Sequence, residues 1–524
     1  MKMKRISYII LTGALSIFLT SCDKYLDVVP DNRTELDTKD KIKKLLVSGY
    51  SRGSHYLITE MSTDNIDDNG ISYTTLSSAE REAFYRLEFT ETTQDSPNAI
   101  WQGFYSAIAV ANQALEAIED LGNKNGELNA EKGEALLIRA YNHFMLANIF
   151  CQHYSPIHAN QDLGIPYIEA PETDVNPSYS RGTVAEVYQK IARDLEEGIP
   201  LINDGNYDVP KYHFNKAAAY AFAARFYLYY LDYNKSIHYA TLALGQNPAA
   251  LMRDWEALGK ESNWEVVTNA YINNNSNANF LLKCVASNWP LVYGPWNTGT
   301  RYTHGTEITS KETTGSSGPW GAYTDFHRNY FSYTSLPKTV SPKFGRYFQY
   351  IDQVAGIGYP HMVITEFTSE ETLLCRAEAY FMQGMYDEGV ADLNTLLDAY
   401  CSTHYKLTKE DNALDRGSIP RYYKNREYYT PTDATVKKKL NPDFEIDEYQ
   451  ENFIHCVLHL RRIITLHEGL RWYDIKRYGI EVVRRKVDLR IEVLPEPLVK
   501  RDLRCAIQLP ASVISGGLEA NPRP

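Results

Sequence analysis

What this sequence lacks narrows its function first. Basic residues are outnumbered, 54 Lys and Arg against 66 Asp and Glu, for a formal net charge of -12. A phosphate backbone is repelled by that balance, so nucleic acid is not an expected partner. Of the 7 cysteines none forms a C-x-x-C pair, whereas a structural zinc site needs clustered thiolates or imidazoles. H-E-x-x-H and a Gly-rich phosphate loop are absent, and with them the signatures of zinc proteolysis and nucleotide hydrolysis. No cofactor, metal or catalytic residue is expected, and the chain reads as a non-enzyme. Beyond the first 21 residues no apolar run approaches the roughly 20 residues that a membrane-spanning helix requires.

Those first residues are a targeting segment. Lys2, Lys4 and Arg5 form a basic start, Ile6 to Leu19 an apolar stretch, and Leu19-Thr20-Ser21-Cys22 closes it. The tetrapeptide resembles a bacterial lipobox, which implies thioether lipidation of Cys22 and cleavage before it. Residues 1–21 are then a lipoprotein signal peptide, 22–39 a lipidated tether and 40–524 one body, anchored by lipid and otherwise soluble. Loss of three cations makes the mature chain more acidic still. Cys151, Cys284, Cys375, Cys401, Cys456 and Cys505 remain. Several of these lie in apolar helical contexts, and buried free thiols are expected, with one incidental disulfide left open.

The stretch Gly133 to Phe150, GEALLIRAYNHFMLANIF, reads as a helix with almost no polar face. Gly133, Leu137, Ala140, Phe144 and Ala147 step along one stripe, small beside large, so a second helix can approach closely. Phe104, Ile108, Ala111, Leu115 and Ile118 supply the partner, with the turn at Gly122 to Gly126. Such a pair cannot bury both faces alone, and further pairs are expected. Thr183-Val-Ala-Glu186 has the form of a capping box opening another helix. Lys216 to Leu231 and the helix from Tyr233 follow it. A shift of 153 residues aligns Ala224 with Ala377, Tyr227 with Tyr380, Tyr233 with Tyr386 and Leu244 with Leu397, a tetratricopeptide-like pattern. Helical repeats are expected at about 100–245 and 370–400. His459 to Gly479 closes the helical part, with Arg471, Asp474, Lys476 and Arg477 as structural ion pairs. The tail AIQLPASVISGGLEANPRP reads as loop throughout.

Between the repeats, about 246–369 lacks helical periodicity and is too long for a connection, so a folded insertion is expected. It holds five of the 7 tryptophans, in a chain that also has 40 tyrosines. A second insertion runs from about 402 to 451. Trp296 and Trp320 sit beside Gly and Pro, flanks that hold a ring on an accessible turn. Together with Tyr323 they lead the candidates for stacking on a ligand, followed by Trp289, Tyr293, Tyr302 and Tyr73. Trp255 and Trp264 have helix-like surroundings and read as core. The Asp64 to Tyr73 loop is expected to join this face. Asp64, Asp67 and Asp68 invite a calcium reading, but the spacing is not that of an EF-hand, and a solvated or ligand-facing loop is preferred.

Several strings carry a family resemblance. They are the lipobox with its tether, the run Trp101, Tyr105, Ile108, Asn112, the GEALLIRAYNHFMLAN and RGTVAEVYQKIARDLE helices, the AEAYFMQGMYDEGVADLN pair, HEGLRWYDIKRYG and the closing IQLPASVISGGLEANP. In this order, over nearly the whole chain, they resemble the SusD/RagB family. The resemblance implies a mostly α, SusD-like fold in which tetratricopeptide-like helix pairs form a scaffold and the loops and aromatic-rich insertion form the ligand surface. It also implies a lipoprotein exposed on a Gram-negative outer membrane that captures a nutrient, usually a glycan, as the lid of a SusC-like TonB-dependent transporter. Capture of a peptide or other nutrient by the same lid is the alternative, and a secreted glycosidase a distant one. The NTLLDAYCSTHYKL segment after Leu393 and the tyrosine-rich second insertion depart from the family pattern.

Overall fold

The stripe of small residues at Gly133 lets three helices close on one another in the computed structural model of the chain. The structure describes residues 35–90, 92–173, 178–322, 331–332, 336–401, 413–488 and 490–524. Residues 1–21, expected to be a signal segment, Cys22 and Tyr323 lie outside these. Lys39–Pro524 forms a single compact unit. At its centre is the helix Asn129–Phe150, in which every residue from Gly133 to Phe150 is buried. The helix Pro97–Asp120 covers it on one side and Val184–Gly198 on the other. A Cβ on Gly133 would fall 2.9 Å from the Gly198 carbonyl oxygen, so only glycine permits this approach. Ser96 caps the first helix through the Ala99 amide, and the Thr183–Glu186 capping box is formed.

The spacing of Tyr105 and Asn112 has a physical reason. Their side chains point from one face of the 97–120 helix onto the extended connector that follows the central helix. The Tyr105 hydroxyl donates to the Pro166 carbonyl at 2.8 Å, and Asn112 Nδ2 to those of Ile168 and Ala170 at 3.0 and 3.3 Å. Arg139 locks the arrangement, donating to Asn112 Oδ1 at 3.1 Å and forking onto the buried Asp194 at 2.6 and 2.9 Å.

The pair Lys216–Tyr229 and Tyr233–Leu244 packs against the pair Ser369–Met382 and Tyr386–Tyr400. The chain between them has regular structure that helical periodicity does not reveal. Strands Asn279–Ala286, Ile357–Thr368 and Tyr347–Asp352 form an antiparallel sheet with the 357–368 strand in the middle. That strand runs directly into the 369–382 helix, where Thr368 is the N-cap.

Two expectations about the C-terminal third are corrected. His459 to Gly479 is not one helix: Glu448–Ile464 ends, and Arg471–Tyr478 begins after a break. His467 and Gly469 take φ of +68° and +73° there, and their amides both donate to the Glu60 carboxylate at 3.1 Å. The tail contains a short helix, Ala511–Ser515, and is clamped by the buried Asn521. Asn521 Nδ2 donates to the carbonyls of Phe150 and Ile507 at 2.8 Å each, and its Oδ1 accepts from Arg181 at 2.7 Å.

The acidic stretch at Asp64 is neither solvated nor ligand-facing. Asp64, Asp67 and Asp68 are buried, and each is gripped by an arginine fork. Arg471 reaches Asp64 at 2.9 and 2.8 Å, Arg485 reaches Asp67 at 3.0 and 2.8 Å, and Arg301 reaches Asp68 at 3.0 and 3.1 Å. Burial alone would raise the Asp64 pKa, but Arg462, Arg471 and Lys438 hold it well below the usual carboxylate range. Glu312 joins the cluster, pairing with Arg462 at 2.8 Å and Lys438 at 2.7 Å. These partners occupy the oxygens that a calcium ion would need. Arg477 and Asp474 do pair, at 3.2 Å, though the stronger contacts of Arg477 and Arg461 run to the distant Glu378.

Candidate ligand-binding face

The two loops singled out in the sequence meet. Both the Thr300 and Arg301 amides donate to the Thr74 carbonyl at 2.9 Å, and the Thr74 and Thr300 hydroxyls lie 3.2 Å apart. The Asn69 side chain adds bonds to the Thr300 carbonyl and the Thr303 hydroxyl at 2.9 and 2.8 Å. Only the tip of the first loop faces solvent, carrying Ile71, Tyr73 and Leu76 at 84%, 38% and 37% exposure.

Trp296 is 36% exposed and meets Trp264 edge to face, with ring centroids 5.6 Å apart at 76°. Its turn is well supported. Thr298 donates to the Leu291 carbonyl at 3.1 Å, and the buried Lys338 ammonium donates to the carbonyls of Val292 and Thr298 at 3.1 and 3.2 Å. Gly299, at φ of +57°, presses on Val292 where a Cβ would sit 2.9 Å from its Cα. Trp264 is half-buried rather than core. It is the first residue of the helix Trp264–Tyr271, capped by Asn263, and side chains in a first turn project past the helix end. The Asn263 cap signal could have revealed this. From the same helix Asn269 accepts the Tyr347 hydroxyl at 3.2 Å, which brings in the 347–352 strand with its exposed Phe348 and Tyr350.

Four of the named candidates are core instead. Trp320 is fully buried, its ring 4.9 Å from that of His459. The Gly and Pro flanks act opposite to the expectation: Gly318 and Gly321 pair through both amides, and the missing Cβ of Gly318 leaves room for the indole to fold beneath the turn. Trp289 donates from Nε1 to the His467 carbonyl at 2.8 Å and packs on Phe344. Tyr293 stacks on His467 at 4.7 Å, and Tyr302 on Phe84 at 4.8 Å. Trp296 and Tyr73 are left, with Trp264 added.

Ionisable groups lie directly under these loops. Glu80 Oε1 accepts the Leu76 and Ser77 amides at 2.5 and 3.1 Å, and burial raises its pKa to about 7. Asp95 accepts the Ser287 hydroxyl at 2.6 Å and the Asn288 amide at 2.7 Å, and burial raises it to about 6. Burial lowers Lys338 to about 8, against the pull of Glu80.

Gly49-Tyr50-Ser51-Arg52-Gly53 spells a Gly-x-Ser-x-Gly string, contrary to the expectation that the chain has none. A nucleophile elbow joins a strand to a helix. Here the string follows a 3-10 turn, and the buried Ser51 Oγ accepts the Gly53 amide at 3.1 Å. It has the spelling of an elbow without the architecture. Among the described residues the six cysteines of the body form no disulfide; five are buried and Cys284 is exposed on the 279–286 strand. Among the described residues no helix is long and apolar enough to cross a membrane.

Residues 24–228 match a SusD-like family model described as starch-binding, associating with the outer membrane. No curated protein matches the sequence. Solved structures do match the fold. A SusD superfamily protein from Bacteroides fragilis has 17% identity and a TM-score of 0.64, covering 92% of this chain and 99% of that one. A sugar-binding protein from Bacteroides vulgatus, its function assigned provisionally, has 20% identity and a TM-score of 0.63, covering 94% and 99%. A laminarin-binding SusD-like protein has 15% identity and a TM-score of 0.52, covering 92% and 99%. The fold is that of SusD, mostly helical and tetratricopeptide-like.

Proposed function

From a chain that is SusD-like in sequence over residues 24–228 and in fold over nearly all its length, we propose a surface lipoprotein of the outer membrane, anchored through Cys22, that captures an oligo- or polysaccharide and delivers it to a SusC-like TonB-dependent transporter. The observation that carries the glycan reading is the Trp264 and Trp296 pair, edge to face and partly open to solvent. Sugar C–H faces stack on such rings while hydroxyls bond to neighbouring polar groups. The laminarin-binding neighbour supports the same class of ligand. Binding at this face is proposed without turnover, since a glycosidase needs two carboxylates flanking the scissile bond and the acidic residues of the adjoining loop, Asp64, Asp67 and Asp68, are committed to arginines.

One observation favours the alternative of peptide capture. The 347–352 strand is the edge of its sheet, and an edge offers backbone groups to an extended peptide. Calorimetry decides between them: a glycan panel that includes laminarin oligosaccharides should yield a binder whose affinity drops in Trp296→Ala and Trp264→Ala. Peptide binding indifferent to both substitutions would replace the glycan reading, and release of reducing ends would overturn binding without turnover.

A further inference from the structure

The second insertion contains a cavity of about 530 Å³, open to solvent, that is separate from the loops described above. One wall is the short helix Ser418–Lys424 with the turn that ends it, and the other is the turn at Thr430 to Asp433. Its floor is Tyr422. That ring is fixed at its hydroxyl, which donates to the Ser317 carbonyl at 2.5 Å, and its neighbour Tyr423 is buried with its hydroxyl 3.1 Å from His459 Nδ1. The Arg426 guanidinium lies over the Tyr422 ring, 4.5 Å from the centroid. This makes a planar cation on an aromatic base, and Arg421 and Asn425 add donors beside it.

The charges lining the cavity are exposed and face one another across it. Among the described residues no ion pair joins Arg421 or Arg426 to a carboxylate, and none uses Glu427 or Asp433, which line the same cavity. Asp415 Oδ1 accepts the Ser418 and Gly417 amides at 2.6 Å each, and these bonds, with a smaller contribution from the Arg421 charge, lower its pKa. A dense polyanion without hydroxyl donors would be drawn by two guanidiniums and repelled by two carboxylates that it could not satisfy. A sugar ring bearing one acid group uses both signs, because its carboxylate takes the arginine forks while its hydroxyls donate to Glu427 and Asp433. The volume lies within the range of small-ligand sites.

We propose that this cavity is a second saccharide site, selective for an acidic sugar such as a hexuronate. The proposal extends the reading of the protein as a glycan binder but does not depend on the Trp296 face. The test is calorimetry on the purified chain at low salt with trigalacturonic acid, against the same trisaccharide with its carboxyls reduced to alcohols. The acid form should bind at least tenfold more tightly than the reduced form and weaken as salt is added. Arg426→Ala and Arg421→Ala should each lower that affinity about tenfold or more, Arg426→Lys should fall between, and Trp296→Ala should leave it unchanged. All three side chains are exposed, and melting curves should match the parent. Equal binding of the two trisaccharides, no binding of the acid form, or acid binding lost in Trp296→Ala but kept in Arg426→Ala would each overturn it. The last outcome would leave the glycan-capture reading standing, whereas acid binding that survives Trp296→Ala while no glycan senses that ring would overturn the first site and support the second.

Discussion

Arg471 grips Asp64 through both guanidinium arms, at 2.9 and 2.8 Å, across 407 residues of chain. Neither residue touches solvent appreciably, and the pair ties the start of the 471–478 helix to the loop beneath the candidate face. Arg462, Lys438 and Glu312 complete the cluster, so the insertion, the 448–464 helix and the N-terminal loop share one buried set of charges.

Removing one partner of that pair strands a charge. Arg471→Ala should destabilise the protein by about 3 to 5 kcal/mol, the usual cost of an uncompensated buried ion. Asp64→Asn should also destabilise, by less, because the amide keeps one acceptor. Denaturant melts of both variants check this, and parent-like stability in Arg471→Ala would show the cluster to be dispensable.

The tryptophans separate into two classes by response. Trp296→Ala and Trp264→Ala should melt near the parent while losing about 1 to 3 kcal/mol of glycan affinity, as rings at interfaces do. Trp320→Ala should cost about 3 to 5 kcal/mol of stability, as expected for a fully buried indole. A Trp320→Ala variant that melts like the parent would contradict its burial.

Glu80 predicts a pH dependence with a definite sign. Its folded pKa is raised by burial to about 7 from 4.5, so folded protein binds the proton more tightly than unfolded. Its stabilising contribution is complete below about pH 4.5 and is lost as pH rises through 7. Asp95, raised to about 6, acts in the same direction. The difference in melting temperature between parent and Glu80→Gln should therefore shift against the parent from pH 5 to pH 8. A difference that stays constant over this range would rule out Glu80 as the titrating group.

Cys22 predicts a location. Cys22→Ala should move the protein from the membrane fraction to the soluble fraction with its fold intact, since no described helix can span a bilayer. Continued membrane association that only detergent releases would point to a second anchor.

The sequence by itself determined the helix pairs and their order. Helical periodicity, caps and small residues are local signals, and Gly133, Thr183 and the 153-residue offset could be read without knowing what lies across from them. The sheet at 279–368 was not legible by the same means, because strands repeat every two residues and the 279–286 strand is buried along most of both faces. Tertiary structure alone decided which aromatic rings face solvent. Trp296 and Trp320 have nearly the same neighbours in sequence, yet His459, more than a hundred residues away, covers one and nothing among the described residues encloses the other. It also decided what the acidic loop is for. Asp64, Asp67 and Asp68 look like a solvated or metal-binding run until Arg471, Arg485 and Arg301 arrive from distant segments, and the energy of a charge depends on that arrival rather than on its place in the chain.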